Sequence, residues 1–175
     1  ILTFGGAYSN HIAATAFAAK EYGLKSAGIV RGEEPKQWSH TLLEAATLNM
    51  QLVFLNRKEF QLTKRNASSE DFSKQFGKVY IIPEGGFGFQ GVRGAADIPA
   101  TTNTSSYTHI ISAVGTGTTI AGILSTSCSE QQVIGISSMK NNYSLKEDIQ
   151  YLTNQPLPET FHLIHDYHFG GFAKY

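Results

Sequence analysis

Short apolar runs recur along the chain at residues 1–4, 27–30, 52–55, 79–82, 110–114, 133–136 and 161–164. Each is rich in β-branched or aromatic residues and has the length of a strand, too short for a helix. The first four are separated by 20 to 25 residues, enough for a crossover helix. Between them, residues 10–22 place Ile12, Ala13, Ala16, Phe17 and Ala19 near one face, with Ser9 or Asn10 as cap and Gly23 at the end. Residues 39–48 turn Leu42, Leu43, Ala46 and Leu48 inward, and residues 69–76 read as a short amphipathic helix closed by Gly77. Residues 119–125 and 144–152 are further helices.

This alternation predicts an α/β fold with open, mainly parallel sheets and helices on both faces, three layers deep. The strands are continuously apolar, as parallel strands covered on both sides should be. The rhythm breaks between Gly91 and Thr108, where a helix starting at Gly91 is expected to end at Pro99 and the polar run after it. A lobe boundary is expected there, giving lobes 1–90 and 91–175 with a ligand cleft between them.

Composition narrows the function. Hydrophobic residues make up 41% of the 175 and charged residues 16%, which argues against disorder and against a coiled coil. Fourteen basic and fourteen acidic residues cancel, so no electrostatic reason points to nucleic acid or an anionic membrane as partner. A single cysteine, Cys128, excludes an internal disulfide framework and a cysteine-only metal site, and suits a reducing compartment such as the cytoplasm. No apolar run approaches the ~20 residues of a membrane-spanning helix, and no signal peptide is visible.

In open α/β sheets, ligands gather where strands end and helices begin. Three glycine-rich turns fall at such places. Gly115-Thr116-Gly117-Thr118-Thr119 follows the fifth run and precedes a helix. Its glycines let backbone N–H groups converge, the helix start adds a positive dipole, and three threonine hydroxyls are further donors. The turn suits a phosphate, although an ordinary strand-to-helix turn has the same form. It is neither a Walker loop, since no Gly-Lys-Ser/Thr follows, nor the dinucleotide fingerprint, whose third glycine and ribose-binding acid are missing.

Gly5-Gly6-Ala7-Tyr8-Ser9-Asn10-His11 sets three polar side chains in a row at a helix start; they serve either simple capping or a ligand. Pro83-Glu84-Gly85-Gly86-Phe87-Gly88 reads equally as a flexible loop or as a cleft border. His162, His165 and His168 are spaced by three, but a strand at 161–164 would turn neighbours in that series to opposite faces, so no metal site is assigned. Trp38, Phe54, Phe60, Phe72 and Phe76 are expected in the core or at a lobe interface.

Taken in order, these three turns and the segment Asp166-Tyr167-His168-Phe169-Gly170-Gly171-Phe172 resemble the 1-aminocyclopropane-1-carboxylate deaminase/D-cysteine desulfhydrase family of pyridoxal-phosphate enzymes, of fold type II like the tryptophan synthase β-subunit. The similarity spans most of the chain. It implies pyridoxal 5'-phosphate as cofactor, with Gly115, Thr116, Gly117, Thr118 and Thr119 on its phosphate, Asn10 on its phenolic oxygen, and Gly85 and Gly86 bordering the cleft. It implies that Ser9 and His11, with the start of their helix, receive the substrate carboxylate, and that Tyr167 lies near the substrate. Many relatives carry Tyr where this chain has Phe172, so a phenol role is lost there.

The family's Schiff-base lysine stands upstream of the Ser-Asn-His element, and none of the ten lysines here has the matching context. The chain is therefore expected to be the central portion of an enzyme of roughly twice the size. The implied activity is deamination or desulfhydration of a small amino acid to a 2-oxo acid and ammonia, by a homodimer. The alternatives are a degenerate relative that binds a phosphate-bearing ligand, and, disfavoured by the missing acid, a nicotinamide dehydrogenase.

Overall fold

The computed structural model describes residues 1–167, and its contacts cluster into two units, Ile1–Gly85 and Gly86–Tyr175. The first unit runs β1 (Leu2–Gly6), α1 (Asn10–Glu21), β2 (Ser26–Arg31), α2 (His40–Thr47), β3 (Met50–Leu55), α3 (Arg57–Arg65), α4 (Ser69–Phe76) and β4 (Ile81–Ile82). Its strands form one parallel sheet in the order β3-β2-β1-β4, with Leu2 opposite Ala27 on one side and Ile81 on the other.

Side chains alternate across this sheet, and the alternation separates two cores. Leu2 and Phe4 of β1 join Ala27 and Ile29 of β2 and pack against Phe60 of α3 and Phe72 of α4. The Phe4 ring meets Phe60 at 6.0 Å and Phe72 at 6.2 Å, both edge-on, a geometry worth about 0.5–1.5 kcal/mol per pair beyond the area buried. Val30, one residue out of phase, turns to the opposite face, where Ile12 and Ala16 of α1 meet Leu42 and Ala45 of α2. The expected three layers are therefore present here, helices on both faces of a parallel sheet.

The second unit runs α5 (Phe89–Ala95), α6 (Ile98–Thr101), β5 (His109–Val114), α7 (Thr118–Thr126), β6 (Gln132–Ser137), α8 (Leu145–Thr153) and β7 (Phe161–Ile164). Its parallel sheet has the order β5-β6-β7. Val114 and Val133, with Ile110, Phe161 and Leu163, form one face, covered by Ile120 and Ile123 of α7 and Leu145, Ile149 and Leu152 of α8. The other face carries Ile111, which is 62% exposed.

Pro99 does not terminate the helix begun near Gly91. The chain turns after Ala95 and Pro99 lies in the first turn of α6, where its missing N–H costs nothing. In the first unit, the third crossover holds two helices, α3 and α4, where the sequence pattern predicts α4 alone. Of the aromatics expected inside, Phe60 and Phe72 are buried, and Trp38, Phe54 and Phe76 are partly so.

Candidate active site

The first candidate cluster sits where β1 becomes α1. Ser9 is the N-cap, and its Oγ accepts the Ile12 N–H at 3.3 Å. Capping uses one lone pair and leaves the hydroxyl proton free to donate, so the capping and ligand readings do not compete. Asn10 opens the helix, exposed, and its side-chain amide has no partner among the described residues. Gly5 makes this approach possible: a Cβ there would lie 2.7 Å from Ser9 Oγ and 2.9 Å from Ile12 Cδ1. From the neighbouring crossover, the N-cap Ser39 of α2 donates its hydroxyl to the Ala7 carbonyl, which pins the turn between β1 and α1.

His11 is tied back into the sheet. Its Nε2 lies 2.7 Å from Oγ1 of Thr3, and that hydroxyl donates to the Ile82 carbonyl of β4 at 2.9 Å. Burial of the ring holds the His11 pKa below its ordinary 6.5, against the opposing pull of the Glu84 carboxylate. Glu84 is itself held by Lys64 at 2.7 Å, with Arg31 at 4.0 Å. Thr3 was not singled out in the sequence; its one signal is a polar residue inside an apolar strand run.

The second cluster sits where β5 becomes α7. Gly117 is the N-cap of α7, with φ 89° and no side-chain cap among the described residues. Gly117 has no side chain with which to cap the amides of the first helical turn. Gly117 is required twice over, because a Cβ would also lie 2.9 Å from Ile149 Cγ1. A Cβ at Gly115 would meet nothing within 4 Å, so the backbone there is open to approach. The hydroxyls of Thr116 and Thr118 are 3.3 Å apart, Thr118 is buried, and Thr119 is exposed.

Within the second unit, Gly86 lies beside this second cluster. Gly85 and Gly86 both take φ 67°, the left-handed region that glycine enters freely. Gly91 on α5 lets the Gly86 carbonyl and the Thr118 methyl approach, since a Cβ there would lie 2.0 Å from one and 2.7 Å from the other. Tyr167 follows β7 and is 56% exposed. His162 Nε2 pairs with Gln132 Oε1 at 2.9 Å across the β6–β7 pair. His168 and Phe172 lie outside the described residues.

A Thermotoga maritima protein named "Putative 1-aminocyclopropane-1-carboxylate deaminase" is 33% identical over 129 residues, covering 70% of this chain and 41% of the relative. A Pyrococcus abyssi protein of the same name is 28% identical over 190 aligned positions, covering 99% of this chain and 58% of the relative. The chain is a relative of the 1-aminocyclopropane-1-carboxylate deaminases so named. It spans about half the length of these relatives. A solved structure described as an ACC deaminase homologue superposes with a TM-score of 0.77 at 24% identity, over 99% of this chain and 57% of that one. A processed threonine deaminase isoform from Solanum lycopersicum superposes with a TM-score of 0.60 at 18% identity, over 83% of this chain and 40% of that one, a likeness of fold. No family model matches the chain.

Proposed function

We propose that this chain forms the ligand-binding core of a pyridoxal 5'-phosphate-dependent enzyme that releases a 2-oxo acid and ammonia from a small amino acid, 1-aminocyclopropane-1-carboxylate or D-cysteine. The observation that carries the reading is the pair of helix starts, α1 and α7, each opened by a glycine-bearing turn with polar side chains at its first positions. The backbone amides that open α7, with no side-chain cap at Gly117 among the described residues, form a donor set matched to a phosphate dianion, with open space at Gly115 and a left-handed Gly117 to admit it. The cofactor fits that set.

Gly115, Thr116, Gly117, Thr118 and Thr119 would hold the phosphate, Gly85 and Gly86 would border the ring, and Asn10 would donate its amide to the phenolic oxygen. Ser9, with the dipole of α1, would take the substrate carboxylate through its free hydroxyl proton, an anion at a helix start. Tyr167 is proposed at the substrate's edge. When bound, the cofactor supplies an electron sink for the pair left at the substrate α-carbon. The residues of this chain contribute orientation and anion stabilisation, gained without reorganisation at the moment of reaction.

The test is the absorption spectrum of the full-length protein before and after borohydride, followed by turnover of both substrates. A visible-edge band reduced onto a lysine, and its alteration in Asn10→Ala, are expected. A protein that takes up no chromophore from added pyridoxal phosphate overturns the reading and leaves a phosphate-binding relative.

A further inference from the structure

The Thr3 hydroxyl settles a question about His11 that the sequence leaves open. Thr3 is fully buried near the start of β1, with Leu2 and Phe4 turned to the opposite face. Its Oγ1 touches two partners, the Ile82 carbonyl at 2.9 Å and His11 Nε2 at 2.7 Å. A carbonyl only accepts, and a hydroxyl has one proton to give. Both contacts are hydrogen bonds only when Thr3 donates to Ile82 and accepts from His11. Nε2 therefore carries a proton.

A neutral imidazole has one ring proton, so Nδ1 is bare. Nδ1 makes no hydrogen bond among the described residues, yet no buried side-chain nitrogen or oxygen there lacks a partner. Nδ1 is therefore open to solvent at the start of α1.

We infer that Thr3 is a positioning residue that holds His11 as the Nε2–H tautomer, so that Nδ1 meets the ligand as a proton acceptor. The inference rests on the proposed substrate site at α1. It divides the labour there. A bare ring nitrogen repels a carboxylate oxygen and attracts N–H, so the carboxylate falls to Ser9 and the helix amides, and His11 faces the substrate's ammonium. If the ammonium gives up a proton, its N–H bond breaks, an Nδ1–H bond forms, and the positive charge passes to an imidazolium still donating from Nε2 to Thr3. The charged groups around His11 are Glu84 and, beyond it, Lys64 and Arg31. Burial favours the neutral His11 ring and outweighs the opposing pull of the Glu84 carboxylate.

The experiment is a long-range proton–nitrogen correlation spectrum of the full-length protein labelled with 15N-histidine, at neutral pH, with His11 assigned by its loss in His11→Gln. The wild type should show a single Nε2–H tautomer with a slowly exchanging Nε2 proton. Thr3→Val should lose the slow proton and give averaged tautomer signals, and Thr3→Ser should restore both. An Nδ1–H signature in the wild type overturns the inference, as does a Thr3→Val spectrum like the wild type's. Should Thr3→Val fail to fold, the wild-type and Thr3→Ser spectra still decide. Cofactor absorbance on the same samples separates the two readings. Cofactor bound with an Nδ1–H ring defeats this inference alone, and an Nε2–H ring with no cofactor uptake defeats the proposed function while Thr3 keeps its hold on His11.

Discussion

Replacing Gly5 by Ala adds one methyl where α1 leaves least room. That carbon would stand 2.7 Å from Ser9 Oγ, 2.8 Å from Ser9 Cβ and 2.9 Å from Ile12 Cδ1. Ser9 is held by its cap and Ile12 is fully buried, so neither can give way cheaply. Overpacking of this kind costs about 1–3 kcal/mol. Displacing Ser9 from its cap adds about 1 kcal/mol. Removing a strand glycine returns about 0.5–1 kcal/mol. The balance is a net loss of roughly 1–3 kcal/mol.

Gly6→Ala is the matched control, because its methyl would meet only Arg31 Nη2, at an ordinary 3.5 Å. It should be neutral or slightly stabilising. Urea unfolding of the two full-length variants checks this. At an m-value of about 1–3 kcal/mol/M, Gly5→Ala should lower the midpoint by roughly 0.5–1.5 M. Amide exchange at Ile12 should accelerate in the same variant, since its N–H loses the Ser9 acceptor. Equal midpoints for the two variants would refute the close-approach argument.

Three further outcomes are expected. Ser9→Ala should cost about 1 kcal/mol in denaturant titration through the lost cap, and should weaken substrate binding while the cofactor absorption is retained. Gly117→Ala forces an L-residue to φ 89° against Ile149 and should lower the melting temperature and, more strongly, pyridoxal phosphate affinity in a fluorescence titration. His11 has a folded pKa below 6.5, so below that pH the unfolded chain binds a proton the folded one resists. Stability should therefore fall as pH drops from 6.5 toward the folded value, and His11→Gln should flatten that part of the curve.

The sequence was most legible where apolar runs were long and punctuated. The expected strand at 161–164 and the helix at 69–76 match β7 and α4 residue for residue, the latter because Ser68 and Asp71 form a reciprocal cap and Gly77 takes a positive φ. The helix α3 escaped because only Phe60 of its nine residues is buried and Leu62 is 53% exposed, too thin a stripe for periodicity to register. Its start was marked all the same: Asn56 accepts from both Lys58 and Glu59. The strand expected at 79–82 shrinks to Ile81–Ile82, since only those residues pair with β1. Ser9 as a cap could be read from local order alone. The tie from His11 through Thr3 to Ile82 could not, because it joins residues that only the sheet brings together.

That tie spans 79 positions between Thr3 and Ile82. β1 lies between β2, which follows it closely, and β4, which arrives only after two more crossovers. At a synthesis rate of about 5–20 residues per second, the first strand waits several seconds for its second neighbour. Contacts of such sequence separation form late, after the loop-closure entropy has been met. The β1–α1 turn can therefore assemble early as a local unit while His11 remains unfixed. The orientation of that ring becomes a marker of completed folding, and a nascent chain stopped short of β4 would present the same three polar residues without it.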